Sequence, residues 1–112
     1  MEFDANKPIY IQIADNLCER ILSGEFKPGG RIPSVREWGA QIGVNPNTVA
    51  RSYEILTDRK VIFNQRGIGF FVADDAISVI GDTERRKFIE EELPLFVNRA
   101  TLLGIDLKEY IK

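Results

Sequence analysis

Three polar side chains share one face of a predicted helix that begins at Pro46: Asn47, Thr48 and Arg51. The opposite face carries apolar residues at the i, i+4 and i+7 spacing of a core-facing stripe, namely Val49, Tyr53 and Leu56. Amide, hydroxyl and guanidinium groups are those with which proteins hydrogen-bond base edges and phosphates. A solvated helix surface would show the same residue types, so this pattern alone leaves both interpretations open.

A second helix is predicted directly upstream, joined to the first by a tight turn. Ser34 and Glu37 have the spacing of a capping box, which predicts a helix over about 35–42. Gly43 can adopt the positive φ that ends a helix, and Asn45 is a good N-cap for the helix that follows. Helix, sharp turn and helix in this order predict a helix-turn-helix.

A two-stranded hairpin is predicted after these helices. Residues 61–64 and 68–72 are β-rich runs, and residues 65–67 form the turn between them. Gly67-Ile-Gly69 could belong to a dinucleotide-binding fingerprint, but that motif needs a third glycine and a following helix. The hairpin is better interpreted as the wing of a winged helix-turn-helix, whose glycines permit a close approach to phosphates.

Another helix precedes the motif. Pro8 suits a first helical position, and apolar residues then recur on one face until Gly24: Ile9, Ile13, Leu17 and Ile21. The expected fold class is therefore α+β, mainly α, with an N-terminal winged helix-turn-helix and its two-strand wing. A short C-terminal helical dimerisation segment follows, so the expected domains are 1–73 and 74–112.

The C-terminal part predicts helices with an unpaired apolar face. Residues 76–80 are expected to form a short linker strand or turn, and a helix capped near Thr83 is expected to be interrupted at Pro94. Asp106 and Glu109 repeat the capping-box spacing. The apolar residues exceed what two helices can bury and predict a surface for a second copy of the chain: Phe88, Leu93, Phe96, Val97, Leu103 and Ile111. Packing onto the chain's own first domain is the alternative.

Composition narrows the possible classes of function. With no histidine and one cysteine, zinc sites, Ser-His-Asp triads and Cys-His pairs are excluded, so we expect no enzyme, metal or cofactor. Residues 31–66 hold six basic and three acidic residues, a net charge of +3, whereas 74–112 hold six basic and nine acidic residues, a net charge of −3. This favours a DNA-facing part followed by a protein-facing part, with ordinary charge scatter as the alternative. Without a membrane-length apolar run or a signal-peptide pattern, a cytoplasmic location away from membranes is expected.

Several ordered segments carry a resemblance to a known family. They are Pro8–Ile13, Gly24–Gly29, Arg31–Glu37, Val44–Val49 and Arg66–Val72. In this order they strongly resemble the GntR family of bacterial transcription regulators. The short tail, with Glu91–Val97 and Leu103–Asp106, is similar to the YtrA-like branch, whose C-terminal part is a small dimerising helical pair.

The resemblance implies where DNA would be bound. The implied DNA-binding residues are Ser34 and Arg36 in the first helix of the motif, Asn45, Asn47, Thr48 and Arg51 in the second, and Arg66 and Gly67 at the wing tip. Three departures from the family pattern stand out. Phe70 replaces a small or hydroxyl residue, which weakens the expectation of regular strand pairing; Lys60 replaces a glycine; and Trp38-Gly39 replaces Leu-Ala, so that altered packing or fraying of that helix is expected.

The resemblance also implies a function. A homodimeric repressor would bind an inverted-repeat operator, block polymerase and control a neighbouring membrane-transporter operon. A small-molecule effector is left open; the tail of about forty residues is too short to enclose a ligand alone, so an effector would bind at the dimer interface or between domains. The alternatives are a winged-helix module that binds protein, and a small enzyme whose carboxylates would be Glu90–Glu92, a run better explained as a solvated helix face.

Overall fold

The computed structural model describes residues 2–111, which form two compact units divided between Ile80 and Gly81. The first unit contains α1 (Ile9–Leu22), α2 (Val35–Ile42), α3 (Pro46–Asp58), β1 (Ile62–Gln65) and β2 (Gly69–Val72). α4 (Ala76–Lys87) crosses the division, and a π-helical turn (Phe88–Glu92), α5 (Leu93–Leu102) and a 3₁₀ turn (Leu107–Glu109) follow. This order, with an antiparallel hairpin after three helices, confirms the predicted winged helix-turn-helix and its helical C-terminal segment.

α1 presents the predicted apolar face to the core of the first unit. Ile13, Leu17 and Ile21 are fully buried. They belong to one cluster with residues from the other elements: Ile32, Trp38, Val49, Tyr53, Leu56, Val61, Ile62, Val72, Ala76 and Ile80. Burying an aliphatic side chain of this size stabilises a fold by about 1.5–3 kcal/mol. The core therefore holds the helix-turn-helix and the base of the hairpin together.

Two adjacent buried side chains of α3 fix its position through hydrogen bonds. The Tyr53 hydroxyl donates to the carbonyl oxygen of Pro33 at 2.6 Å, and the Ser52 hydroxyl donates to the carbonyl oxygen of Tyr10 at 2.6 Å. Burial, together with the nearby charge of Glu37, raises the pKa of Tyr53, so the phenol remains a neutral donor. α3 is thereby tied to the segment before α2 and to the first turn of α1.

The turn between α2 and α3 depends on a close backbone contact. α2 ends, as predicted, at Gly43, whose φ is 70°. A Cβ atom at Gly39 would lie 2.7 Å from the carbonyl oxygen of Val44, so the backbone leaves no room for a side chain there. Trp38 beside it is buried and packs edge-on against Phe26, with ring centroids 5.9 Å apart. Both residues lie within the continuous helix Val35–Ile42, so the expected fraying of α2 is wrong.

The hairpin strands pair antiparallel along their full length. Predicted at 61–64 and 68–72, they lie at Ile62–Gln65 and Gly69–Val72. Phe70 pairs with Asn64, and its ring packs edge-on against Tyr53 with centroids 5.0 Å apart. The strand pairing that Phe70 put in doubt is therefore regular, and the large ring gains a contact with α3.

The segment 76–80 is the first part of α4, so the expected linker strand or turn is wrong. Ala76 and Ile80 are 0% and 3% exposed. They lie about one helical turn apart, so a helix buries both on the same face. α4 therefore starts at Ala76 rather than near Thr83. The local sequence of 76–80 does not favour one secondary structure, so burial in the core of the first unit selects the helix.

The interruption predicted at Pro94 takes the form of a π-helical turn directly before α5, with the proline in the first turn of that helix. Proline lacks an N–H and its ring displaces the carbonyl four residues earlier, which widens the preceding turn. Farther along, the Asp106 carboxylate accepts from the Lys108 N–H at 3.0 Å. Asp106 thus caps a 3₁₀ turn, but it does not form the predicted capping box with Glu109. In so short a turn, the N–H nearest to the Asp106 carboxylate is that of Lys108.

Lys60 follows α3 with a φ of 63°, where the family pattern has glycine. A non-glycine residue at a positive φ lowers the free energy of unfolding by about 1–3 kcal/mol through backbone strain. Glycine avoids the strain but lowers it by about 0.4–1 kcal/mol, because glycine gives the unfolded chain more conformational freedom. We predict that Lys60→Gly raises the free energy of unfolding by about 0.5–1 kcal/mol, measured by urea unfolding followed through the fluorescence of Trp38. Lys60→Ala keeps the Cβ atom and is the control; an equal gain in this variant would contradict the strain explanation.

Candidate nucleic-acid interface

The start of α2 is fixed by a reciprocal pair of hydrogen bonds. The Ser34 Oγ atom accepts from the Glu37 N–H at 3.1 Å, and a Glu37 carboxylate oxygen accepts from the Ser34 N–H at 3.0 Å. This confirms the predicted capping box. The Ser34 hydroxyl can still donate its own hydrogen. Arg36, between the two capping residues, is exposed, so α2 presents a guanidinium in its first turn.

The start of α3 is capped by Asn45, as predicted. Its side-chain oxygen accepts from the Asn47 N–H at 2.8 Å, and Pro46 lies in the first turn. Within residues 2–111, the side-chain amide of Asn47 forms no hydrogen bond. The cap therefore uses one oxygen atom and leaves the amide donors of both asparagines available to a ligand.

A shallow groove lies between the first turns of α2 and α3. It is lined by Val35, Arg36, Asn45, Pro46, Asn47 and Ala50. The structure thus brings together Arg36, Asn45 and Asn47, which the sequence placed on two separate helices. Thr48 does not line this groove and is half-buried. The helix-turn-helix therefore presents one guanidinium and two amides at a common surface.

Arg51 lies one turn farther along α3, and its guanidinium stacks on an aromatic ring. Its Cζ atom is 4.0 Å from the ring centroid of Tyr10, in the first turn of α1. Arg51 is exposed and Tyr10 is half-buried. Tyr10 was not predictable as part of the site, because no local spacing in the sequence connects the start of α1 to α3.

The hairpin tip carries the predicted Arg66 and Gly67, both exposed, and Gly67 has a φ of 80°. A second basic residue, Arg31, pairs with Phe71 through an isolated bridge. Its side chain lies against Gly69, where a Cβ atom would be 3.0 Å from the Arg31 Nε atom. Arg31 belongs to the basic region 31–66 predicted from the sequence, but no local pattern placed it in the site. The hairpin therefore has Arg66 at its tip and Arg31 packed against its second strand.

The arginines of α2, α3 and the hairpin tip, Arg36, Arg51 and Arg66, form no ion pair with a carboxylate in the described part of the chain. The ion pairs seen there join Lys7 to Asp15, Arg20 to Glu25 and Arg85 to Asp82. Unpaired, exposed cations are available to neutralise phosphates and release counterions. Residues 2–111 contain no cluster of three or more histidine, cysteine or acidic residues that could hold a metal ion, and no helix long and apolar enough to cross a membrane.

The second unit exposes most of its apolar side chains. All six residues predicted to form a dimer surface are exposed: Phe88, Leu93, Phe96, Val97, Leu103 and Ile111. Among the described residues 81–111, Ala100 alone is buried. Exposed apolar surface of this extent is unfavourable in water and is typical of interaction faces.

A helix-turn-helix with unpaired arginines and free amides, beside a hairpin with a basic tip, defines a winged-helix DNA-binding protein. The sequence model described as "Bacterial regulatory proteins, gntR family" matches residues 9–72. The chain belongs to the GntR family of transcription regulators, which confirms the resemblance seen in the sequence.

Known proteins extend the likeness over nearly the whole chain. The chain is 34% identical over 111 residues to the HTH-type transcriptional repressor YtrA of Bacillus subtilis, an alignment that covers 96% of this chain and 85% of YtrA. It matches the crystal structure of a GntR-family protein from Bacteroides thetaiotaomicron with 48% identity and a TM-score of 0.77, covering 91% of this chain and 88% of that one. The AraR DNA-binding domain, solved in complex with operator ORR3, matches with 29% identity and a TM-score of 0.58, covering 65% of this chain and 86% of the AraR chain. The chain is thus YtrA-like, and its named relatives are transcriptional regulators, a class without enzymatic activity.

Hydrogen bonds with Ser34 hold the pKa of the Glu37 carboxyl below its ordinary value of 4.5. A carboxyl whose pKa is lower in the folded state stabilises the fold above its unfolded pKa, and this contribution is lost as pH falls through the folded pKa. We predict that Glu37→Gln lowers the free energy of unfolding at pH 7, and that the difference from wild type shrinks at about pH 3. Urea unfolding at both pH values measures this, with Glu54→Gln on the exposed side of α3 as the control. An unchanged difference at low pH would show that the Glu37 charge does not matter.

Proposed function

We propose that this DNA-binding regulator is a homodimeric transcriptional repressor that binds an inverted-repeat operator. The observation that carries the proposal is the groove between α2 and α3, where Arg36, Asn45 and Asn47 border one exposed surface. Helix-turn-helix proteins place the first turns of their second helix in the major groove of DNA. α3 is the element of this chain suited to that position, because its exposed start is rigidly capped.

The residue types suggest separate roles at the DNA. Arg36 and Arg51 can each donate two parallel hydrogen bonds to guanine or to a phosphate, and Asn47 can pair with adenine. Asn45 and the hydroxyls of Ser34 and Thr48 are short and suit phosphate or sugar oxygens.

The hairpin would contact DNA beside the groove occupied by α3. Arg66 at its tip supplies a positive charge, and Gly67 lets the backbone approach a phosphate closely. The proposed DNA contacts therefore come from α2, α3 and the wing.

A second copy of the chain is the partner that fits the apolar face of residues 81–111. A two-fold dimer buries the same face of both protomers. It would place two recognition helices in successive major grooves about 34–36 Å apart, so that the operator mirrors the symmetry of the protein. An operator overlapping a promoter would block polymerase. YtrA, a relative named as a repressor, supports this direction of control.

The regulated gene and a signal complete the proposal. The YtrA-like resemblance extends it to a neighbouring transporter operon as the target. A small-molecule effector would act by binding the DNA-competent and DNA-incompetent states of the protein unequally.

We predict that the protein binds one duplex tightly among fragments tiling the DNA upstream of its own gene, with affinity that falls steeply as salt rises. Arg36→Ala should weaken that binding by about 1–3 kcal/mol if Arg36 reads a base, and should lower the salt slope by about 1 if it contacts a phosphate. Fluorescence anisotropy across a salt series measures both quantities. Arg59→Ala, at the far end of α3, is the charge-matched control. Uniformly weak binding that Arg36→Ala leaves unchanged would favour a protein-interaction module instead.

We predict that the protein sediments as a dimer and that Leu103→Asp sediments as a monomer. A charge within an apolar interface is unpaired and desolvated, so it opposes association. Loss of the second half-site should also weaken operator binding by about 10²-fold or more. Analytical ultracentrifugation and anisotropy test the two effects. Leu22→Asp makes the same change at an exposed leucine of α1 and should leave the dimer intact; a dimeric Leu103→Asp protein would contradict the proposed interface.

A further inference from the structure

The exposed guanidinium of Arg51 lies over an aromatic ring in the first turn of α1. Its Cζ atom lies 4.0 Å from the centroid of the Tyr10 ring. Within residues 2–111 the Arg51 guanidinium forms no hydrogen bond and no ion pair. Its contact with the Tyr10 ring is therefore what restrains it. The orientation of this exposed guanidinium on α3 therefore depends on a residue of another helix.

Tyr10 itself is held in place by α3. Its carbonyl oxygen accepts the hydroxyl of Ser52, the next residue after Arg51, at 2.6 Å. Ser52 is fully buried, so this hydrogen bond is shielded from water. Two consecutive residues of α3 thus contact Tyr10 of α1. Ser52 hydrogen-bonds the Tyr10 backbone, and Arg51 lies over the Tyr10 ring.

Stacking restrains the arginine without using its donors. The Cζ atom lies over the Tyr10 ring, and among the described residues none of the guanidinium N–H groups is used in a hydrogen bond, so they remain available to guanine or phosphate. A long, unrestrained arginine side chain loses considerable rotamer freedom when it binds, and a stacked one has already lost part of it. The contact with Tyr10 therefore presents a preorganised fork of donors.

We infer that Tyr10 is a positioning residue for the operator contact of Arg51. The inference rests on the proposed function, because it takes Arg51 to contact DNA. It adds α1 to the elements that determine DNA affinity, although the ring of Tyr10 need not touch the DNA. Replacing the ring by an aliphatic side chain frees Arg51, while replacing tyrosine by phenylalanine keeps the stacking surface.

A double-mutant cycle tests the inference with the full-length protein and the duplex from its own upstream region that binds most tightly. We expect Tyr10→Leu to weaken binding about three- to fivefold, in line with an exposed cation–π contact, and Tyr10→Phe to stay within about twofold of wild type. In an Arg51→Ala background, Tyr10→Leu should have no further effect. Thermal unfolding of each variant separates loss of affinity from loss of fold, since the DNA coupling between positions 10 and 51 does not follow from reduced stability alone.

Three outcomes would overturn the inference. An equal effect of Tyr10→Leu with and without Arg51 would show that Tyr10 acts independently, and a Tyr10→Phe variant as weak as Tyr10→Leu would assign the effect to the hydroxyl. If Arg51→Ala binds like wild type while Arg36→Ala binds weakly, the inference fails but the repressor proposal stands. Failure of the wild-type protein to bind any upstream duplex selectively would instead remove the proposed function itself.

Discussion

The hydrogen bond from the Tyr53 hydroxyl to the carbonyl oxygen of Pro33 is the interaction on which the DNA-facing surface depends. It joins the middle of α3 to the residue directly before the cap of α2. The ring of the same tyrosine packs against Phe70 of the hairpin. One buried side chain therefore sets the spacing of α2, α3 and the wing. Because an unpaired polar group in a buried setting costs about 1–3 kcal/mol, this arrangement resists any sliding of α3 that would break the bond.

Local chemistry made much of this surface predictable, whereas contacts between distant segments were not. The capping residues Ser34 and Asn45 specify where α2 and α3 begin, because a cap acts over two or three residues and leaves a readable spacing. The stacking of Arg51 on Tyr10 has no such spacing, since it exists only after α1 packs on α3. The same limit explains residues 76–80: their sequence suits a strand, turn or helix, and burial in the core selects the helix.

The two units differ in how they obtain stability. The first has a contiguous core, whereas among the described residues 81–111 one side chain, Ala100, is buried. Apolar burial that a single chain does not provide must come from association if this segment is to gain hydrophobic stabilisation. In the proposed homodimer, the order of the second unit would then depend on protomer concentration. Assembly and DNA binding would be linked, with each increasing the free-energy gain of the other.

The contact at Gly39 constrains how operator specificity can be exchanged between relatives. A Cβ atom there would meet a backbone carbonyl, that of Val44, which cannot rotate away as a side chain could. A relative with alanine at this position must therefore carry its turn, and the helix after it, at a slightly different distance from α2. Transplanting only the exposed residues of α3 would transfer the side chains proposed to contact DNA. It would not transfer the backbone geometry between α2 and α3 that positions those side chains. A functional graft would therefore also have to include Trp38 and Gly39, which are buried in α2.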